Sequence, residues 1–196
     1  MPHPIQVVVT DDLERSRVTV FFRALLVIPH YIVLVLWSIV AEIAIVIAWF
    51  AALITGRVPS GLHNFIASWL RYTTHVYAYM FLLANPYPPF SGSESYPIDL
   101  LIAPAAPQNR VTTLFRIFLA IPALIIARVL RYLGMAVAIL GWFAALALGR
   151  MPKGLRDVGA WTLRVDQQTG AYTSLLTDRY PQFSPTPEPD AQPGSV

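Results

Sequence analysis

Glu42 is the one acidic side chain in the apolar run from Val18 to Ile54, which otherwise carries only Arg23 and His30 as charged or imidazole groups. A carboxylate in such surroundings suits proton or ion coupling, because its charged form is costly in hydrocarbon and responds to whatever lies beside it. His30 is the nearest titratable partner of that kind, twelve residues earlier in the chain. The remaining histidines, His3, His63 and His75, have no HExxH spacing and no neighbouring carboxylate cluster, so the pattern implies no metal or other cofactor. The absence of cysteine excludes thiol catalysis and disulfides. Without a glycine-rich phosphate loop, a nucleophile elbow or a Ser/His/Asp arrangement, the expectation is a protein that is not an enzyme.

A second set of candidates emerges when the chain is compared with itself. Residues 3–90 and 96–183 align without a gap at a constant offset of 93, and about 31 of the 88 aligned pairs are identical. Arg17-Val18-Thr19 returns as Arg110-Val111-Thr112, Phe22-Arg23 as Phe115-Arg116, and Ile28-Pro29 as Ile121-Pro122. Trp49-Phe50-Ala51-Ala52-Leu53 followed by Gly56-Arg57 returns as Trp142-Phe143-Ala144-Ala145-Leu146 and Gly149-Arg150. Such a fixed period means one supersecondary unit used twice. Neither Glu42 nor His30 recurs; Met135 and Ala123 stand in their places. Arg23 and Arg116 are kept, and three chemistries suit them: reaching lipid phosphate, capping the C-terminus of a neighbouring helix, or forming a paired anion site across a pseudo-twofold. Arg57 and Arg150, in the Gly-Arg turns after the aromatic pairs, are candidate lipid or anion contacts at a membrane surface.

The elements that position these residues follow from composition. Hydrophobic residues make up 56% of the chain and charged residues 13%, with a mean hydropathy of +0.54. An ordinary soluble domain has about 25% charged residues, so an all-α integral membrane protein is expected. A single crossing takes roughly 20 residues; Val18 to Ile54 and Val111 to Leu148 are each too long for one upright span. Arg128 and Arg131 divide the second run, which predicts a helical hairpin in each repeat. All but these two of the fourteen basic residues then fall on one side, placing both termini in the cytoplasm of a multi-pass protein of the cell membrane. The rival reading makes the segment before Pro29 an interfacial helix and the rest one long tilted span, with inverted repeats.

Short β-favouring runs, Ile5 to Val9 and Ile98 to Ile102, precede the membrane segments and could pair as a ribbon. After each Gly-Arg turn, helical spacing of Leu62, Phe65, Ile66, Trp69, Val76, Tyr77 and Met80 predicts an amphipathic helix. It would lie at the interface or against the bundle, its polar side wet. The organisation is thus two tandem pseudo-symmetric membrane repeats, 3–90 and 96–183, a linker at 91–95 and a Pro-rich tail at 184–196 expected to be disordered. The start of the chain lacks the order of a signal peptide, leaving the first apolar segment as the expected insertion signal.

Arg23 with Ile28-Pro29-His30, Trp49-Phe50, Thr55-Gly56-Arg57 with Pro59, Arg71, Tyr79, Leu82-Leu83 and Tyr87-Pro88-Pro89-Phe90 together resemble a bacterial membrane family, common in actinobacteria and often in tandem, of the domain of unknown function 4389 type. Repeat two departs from that pattern at Ala123, Leu148 and Gln182. The resemblance implies a fold family and no reaction. The expected function is a scaffold or accessory protein binding membrane lipids, a membrane-protein partner or further copies of itself; the alternative is a small transporter or channel component using Glu42, His30 and the Arg23/Arg116 pair. A net charge of only +3 without a dense basic block speaks against nucleic acid.

Overall fold

The computed structural model describes residues 3–92 and 96–185. The linker expected at 91–95 and the tail expected at 184–196 fall largely outside the described residues. The element order is β1 (Ile5–Val9), α1 (Arg17–Leu26), α2 (Ile28–Thr55), α3 (Ser60–Met80), β2 (Ile98–Ile102), α4 (Arg110–Leu114), α5 (Arg116–Leu148) and α6 (Lys153–Thr173).

Each repeat carries one long apolar helix and no helical hairpin, which corrects the expectation from Arg128 and Arg131. Arginine is a good helix former, and neither residue brings the Gly or Pro that a turn requires. Arg131 instead reaches sideways to Asp166 on α6, Nη2 to Oδ1 at 2.6 Å, so its charge is met without leaving the helix. The helical run of repeat one passes from α1 to α2 at Val27, which keeps right-handed dihedrals, and Pro29 falls in the first turn of α2, where the missing N–H does no harm. Both long helices stop at a glycine with positive φ, Gly56 at 76° and Gly149 at 71°, a conformation open to glycine at little cost.

The two repeats are joined about a pseudo-twofold axis. β1 and β2 form a two-stranded antiparallel sheet in which Val7 pairs with Leu100, its own equivalent in the other repeat, so the axis passes through that pair. The contacts that join the helix ends obey the same exchange. The indole of Trp49 donates to the Thr113 carbonyl and that of Trp142 to the Val20 carbonyl, both at 3.0 Å. Gly149 O accepts from Arg15 N at 3.0 Å, and Gly56 O accepts from Gln108 N at 2.8 Å. The start of each helical run thus meets the end of the other, so the long helices run in opposite directions.

Helices α3 and α6 occupy the centre, antiparallel, with Leu70 against Gly170 and Leu83 against Gly159. They lie against the bundle, and their polar sides are not wet: His63, His75, Gln167 and Gln168 are all buried. Alanines 44, 48 and 52 of α2 meet Ile66, Ala67 and Leu70 of α3, and Ile5 and Leu100 of the ribbon, in the largest part of the core. The outer faces of the long helices are different. Val18, Phe22, Leu25, Ile32, Leu36, Ile39, Ile43, Val46, Phe50 and Ile54 form one exposed apolar stripe, repeated from Val111 to Leu148.

Candidate functional site

Arg23 and Arg116 are buried and face the C-terminal ends of α3 and α6. Arg23 Nη1 donates to the carbonyls of Tyr79 (2.8 Å) and Ala84 (3.1 Å), and its guanidinium lies 4.2 Å from the centre of the Tyr79 ring. Arg116 Nη1 donates to the equivalent carbonyls of Tyr172 (2.9 Å) and Thr177 (2.7 Å), with its guanidinium 4.8 Å from the Tyr172 ring. The expectation of phosphate contact gives way here to helix capping, because carbonyls left over at a helix end attract a cation wherever water is excluded. The cap has a second part. Leu82 and Leu175 take positive φ, 62° and 66°, an uncommon conformation for a bulky side chain. Their carbonyls are held by Arg15 Nε at 3.0 Å and Gln108 Nε2 at 2.5 Å. Arg15 is neutralised by Asp11 at 2.5 Å, while Gln108 accepts from Arg116 Nη2 at 3.0 Å.

Arg57 and Arg150 are exposed, at the ends of the long helices. Their backbones bridge to Pro107 and Glu14 of the other repeat, leaving the side chains pointing to the surface. Of the four arginines singled out by their spacing, these two keep a position from which a headgroup could be met.

Glu42 lines an open groove between α2 and α3 with a volume of about 410 Å³, together with Tyr31, Leu34, Ser38, Trp69, Thr73 and Tyr77. His30 does not join it. The imidazole is fully buried, bonded through Nδ1 to Tyr72 OH at 2.8 Å and enclosed by Tyr87 and Phe90, with ring centres 4.5 and 4.4 Å away. Twelve residues along one helix put about 18 Å between it and Glu42, so the two do not form a coupled pair.

A polar cluster that the sequence reading missed lies where α3 meets β2. His75 Nε2 and Asp99 Oδ1 are 2.9 Å apart, the same oxygen accepts from Leu100 N at 2.7 Å, and Arg71 Nε stands 3.6 Å away. Burial raises the pKa of Asp99, but the hydrogen bonds from His75 and Leu100 N, with the Arg71 guanidinium nearby, hold it below the ordinary 3.8. At the symmetry-equivalent place neutral amide chemistry stands instead: Gln168 Nε2 donates to Ile5 O at 3.0 Å and Gln168 Oε1 accepts from Gln182 N at 2.9 Å. The paired change of His75 to Gln168 and Asp99 to Gln6 between copies was visible in the alignment, yet nothing local linked a helix residue to a strand residue 24 positions away. No group of three or more His, Asp or Glu side chains that could hold a metal ion occurs among the described residues.

No curated protein and no solved structure matches the chain. A family model described as a domain of unknown function, DUF4389, matches residues 17–92 and again 110–184. The two matched segments cover most of the chain and begin at equivalent positions of the two repeats, Arg17 and Arg110. On the strength of both, the protein belongs to the DUF4389 family and carries its domain twice.

Proposed function

We propose that the protein is a non-enzymatic membrane scaffold or accessory protein that holds lipid or a membrane-protein partner against its two long helices. The observation that carries this reading is the outer surface of those helices. Arg17–Thr55 and Arg116–Leu148 are each long and apolar enough to cross a membrane, and only 22% of the most apolar stretch of each is buried within the fold. The core helix of a water-soluble protein is covered by its own chain, whereas an apolar face of this length left open marks a membrane or protein contact. Arg57 and Arg150 at the helix ends supply guanidinium forks for headgroup phosphate. The test is native mass spectrometry after gentle extraction: retained phospholipid or a retained partner is expected, and a bare monomer that also fails to float with vesicles would overturn the proposal.

One observation favours the transporter-component reading, the Glu42 carboxylate in its groove. Reconstituted flux that survives Glu42→Gln unchanged would remove that basis.

A further inference from the structure

We infer that the two long helices lie in the plane of the membrane, in one leaflet, with the pseudo-twofold axis along the bilayer normal. This rests on the membrane reading above and concerns how the fold meets the bilayer.

The geometry allows few arrangements. The axis exchanges the two ends of the molecule, because the start of each helical run is bonded to the end of the other. If the helices crossed the bilayer, the axis would lie in the membrane plane at mid-depth. Everything on the axis would then sit in the hydrocarbon centre, beginning with the β1–β2 ribbon that the Val7–Leu100 pair places there. The ribbon is covered by α3 and α6, with Ile5 O met by Gln168 and Leu100 O by Arg71, yet it would carry the Arg71, His75 and Asp99 cluster to that same depth, where polar and charged groups are most costly.

The charges point the same way. Glu42 stands at the middle of α2, and Arg128 and Arg131 at the middle of α5. Glu42 and Arg128 are exposed on the apolar faces, so crossing helices would carry both to the most costly depth. At the helix ends, Arg17 lies beside Gly149-Arg150 and Arg110 beside Gly56-Arg57. Crossing would therefore place equal pairs of arginines on the two sides, against the bias toward one side that membrane proteins keep. Rotation about a twofold preserves direction along the axis. With the axis on the normal, the equivalent stripes of α2 and α5 enter the same leaflet, all four end arginines reach headgroup level, and the mid-helix charges need only snorkel a short way. The length of the helices agrees: 28 and 33 residues make about 42 and 50 Å of helix, against roughly 30 Å of hydrocarbon.

The test uses the full chain, which has no cysteine of its own, reconstituted in vesicles of phosphatidylcholine and phosphatidylglycerol. Ser60→Cys and Lys153→Cys place one thiol just beyond the end of each long helix, both at exposed positions. The double variant is treated with a membrane-impermeant maleimide and its intact mass is read. Helices in the plane give molecules with two labels or none, whichever way each molecule was inserted; crossing helices give molecules with one. Spin labels at Ile32, Ile43 and Ile54 supply the depth, and Ile43 should be no deeper than the other two. One label per molecule with Ile43 deepest would overturn the in-plane placement while leaving the membrane reading standing, whereas failure to float with the vesicles would overturn both.

Discussion

The two repeats have the same plan but close it differently. In repeat two, α5 and α6 touch: a Cβ at Gly134 would lie 2.7 Å from Thr162 Oγ1, and one at Gly141 2.7 Å from the Met151 sulfur. In repeat one Ala41 and Ala48 take the places of these glycines, and Trp69 takes the place of Thr162. The indole props α3 away from α2, donates to Ser38 Oγ at 3.1 Å, and leaves the groove that Glu42 lines. The position of Ser38 is filled by Arg131 in repeat two, and that of Thr73 by Asp166, so an ion pair closes what repeat one leaves open. A few exchanges between small and large residues thus convert a packed helix pair into a receptive one, because helix separation follows the size of the side chains between the axes.

The largest expected effect tests what the repeats share. Arg23→Leu and Arg116→Leu each strip a charged donor from two buried carbonyls, and each should lower stability by about 3 kcal/mol, to a similar extent in both repeats. Lysine should restore little, because it lacks the planar fork. Thermal unfolding in detergent measures this; melting unchanged from wild type, with lipid retention reduced, would return these residues to the surface role.

The next effect tests the difference. Gly134→Ala forces Thr162 to move and should cost about 2 kcal/mol, while Ala41→Gly in repeat one creates no clash and should cost about 1 kcal/mol, through helix propensity with a smaller part from the buried methyl it removes. Denaturant unfolding of the two variants side by side decides it. Equal costs would mean that close approach does not distinguish the repeats.

A smaller effect separates them by pH. Burial lowers the pKa of His63 below its ordinary 6.5, against the opposing hydrogen bonds of the Leu176 backbone and the Asn64 side chain. The unfolded chain therefore takes up this proton first, so the stability tied to neutral His63 is present above pH 6.5 and lost as pH falls below it. The lowered pKa of Asp99 acts in the same direction at more acid pH, its contribution being complete above 3.8 and lost on the way down. At the equivalent positions Arg156 stands for His63, Gln168 for His75 and Gln6 for Asp99, so neither titration has a symmetric counterpart. Melting temperature should decline from pH 6.5 downward, and His63→Gln should flatten the upper part of that decline. An equally steep decline in the variant would assign it elsewhere.

The smallest effect is that of Glu42→Gln. Because the carboxylate stands at the exposed lip of the groove, stability should change by no more than about 0.5 kcal/mol, read in the same unfolding assay. A larger loss would mean that the carboxylate holds the groove together.

The strands, the two apolar runs and the turns that end them were legible before the fold was known. Ile5 to Val9 and Ile98 to Ile102 are paired strands with the bounds their composition suggested, and the Gly-Arg turns end α2 and α5 where glycine and arginine stand. The hairpin was misread because Arg128 and Arg131 look like breaks in an apolar run, when the partner that satisfies Arg131 is Asp166, 35 residues away. The amphipathic faces of α3 and α6 were equally legible, but not what covers them.

The sequence by itself determined the repeat, the apolar outer faces and the turn residues, since each is a property of spacing within about one helix length. The tertiary structure decided that Arg23 and Arg116 cap helices, that His30 sits in an aromatic box away from Glu42, and that His75 and Asp99 pair across helix and strand. The physical reason is that a buried charge or imidazole is set by its partner. In this chain those partners come from residues 24 to 61 positions away, brought to it when each repeat folds back on itself and, for His75 and Asp99, when the two repeats close around their common axis.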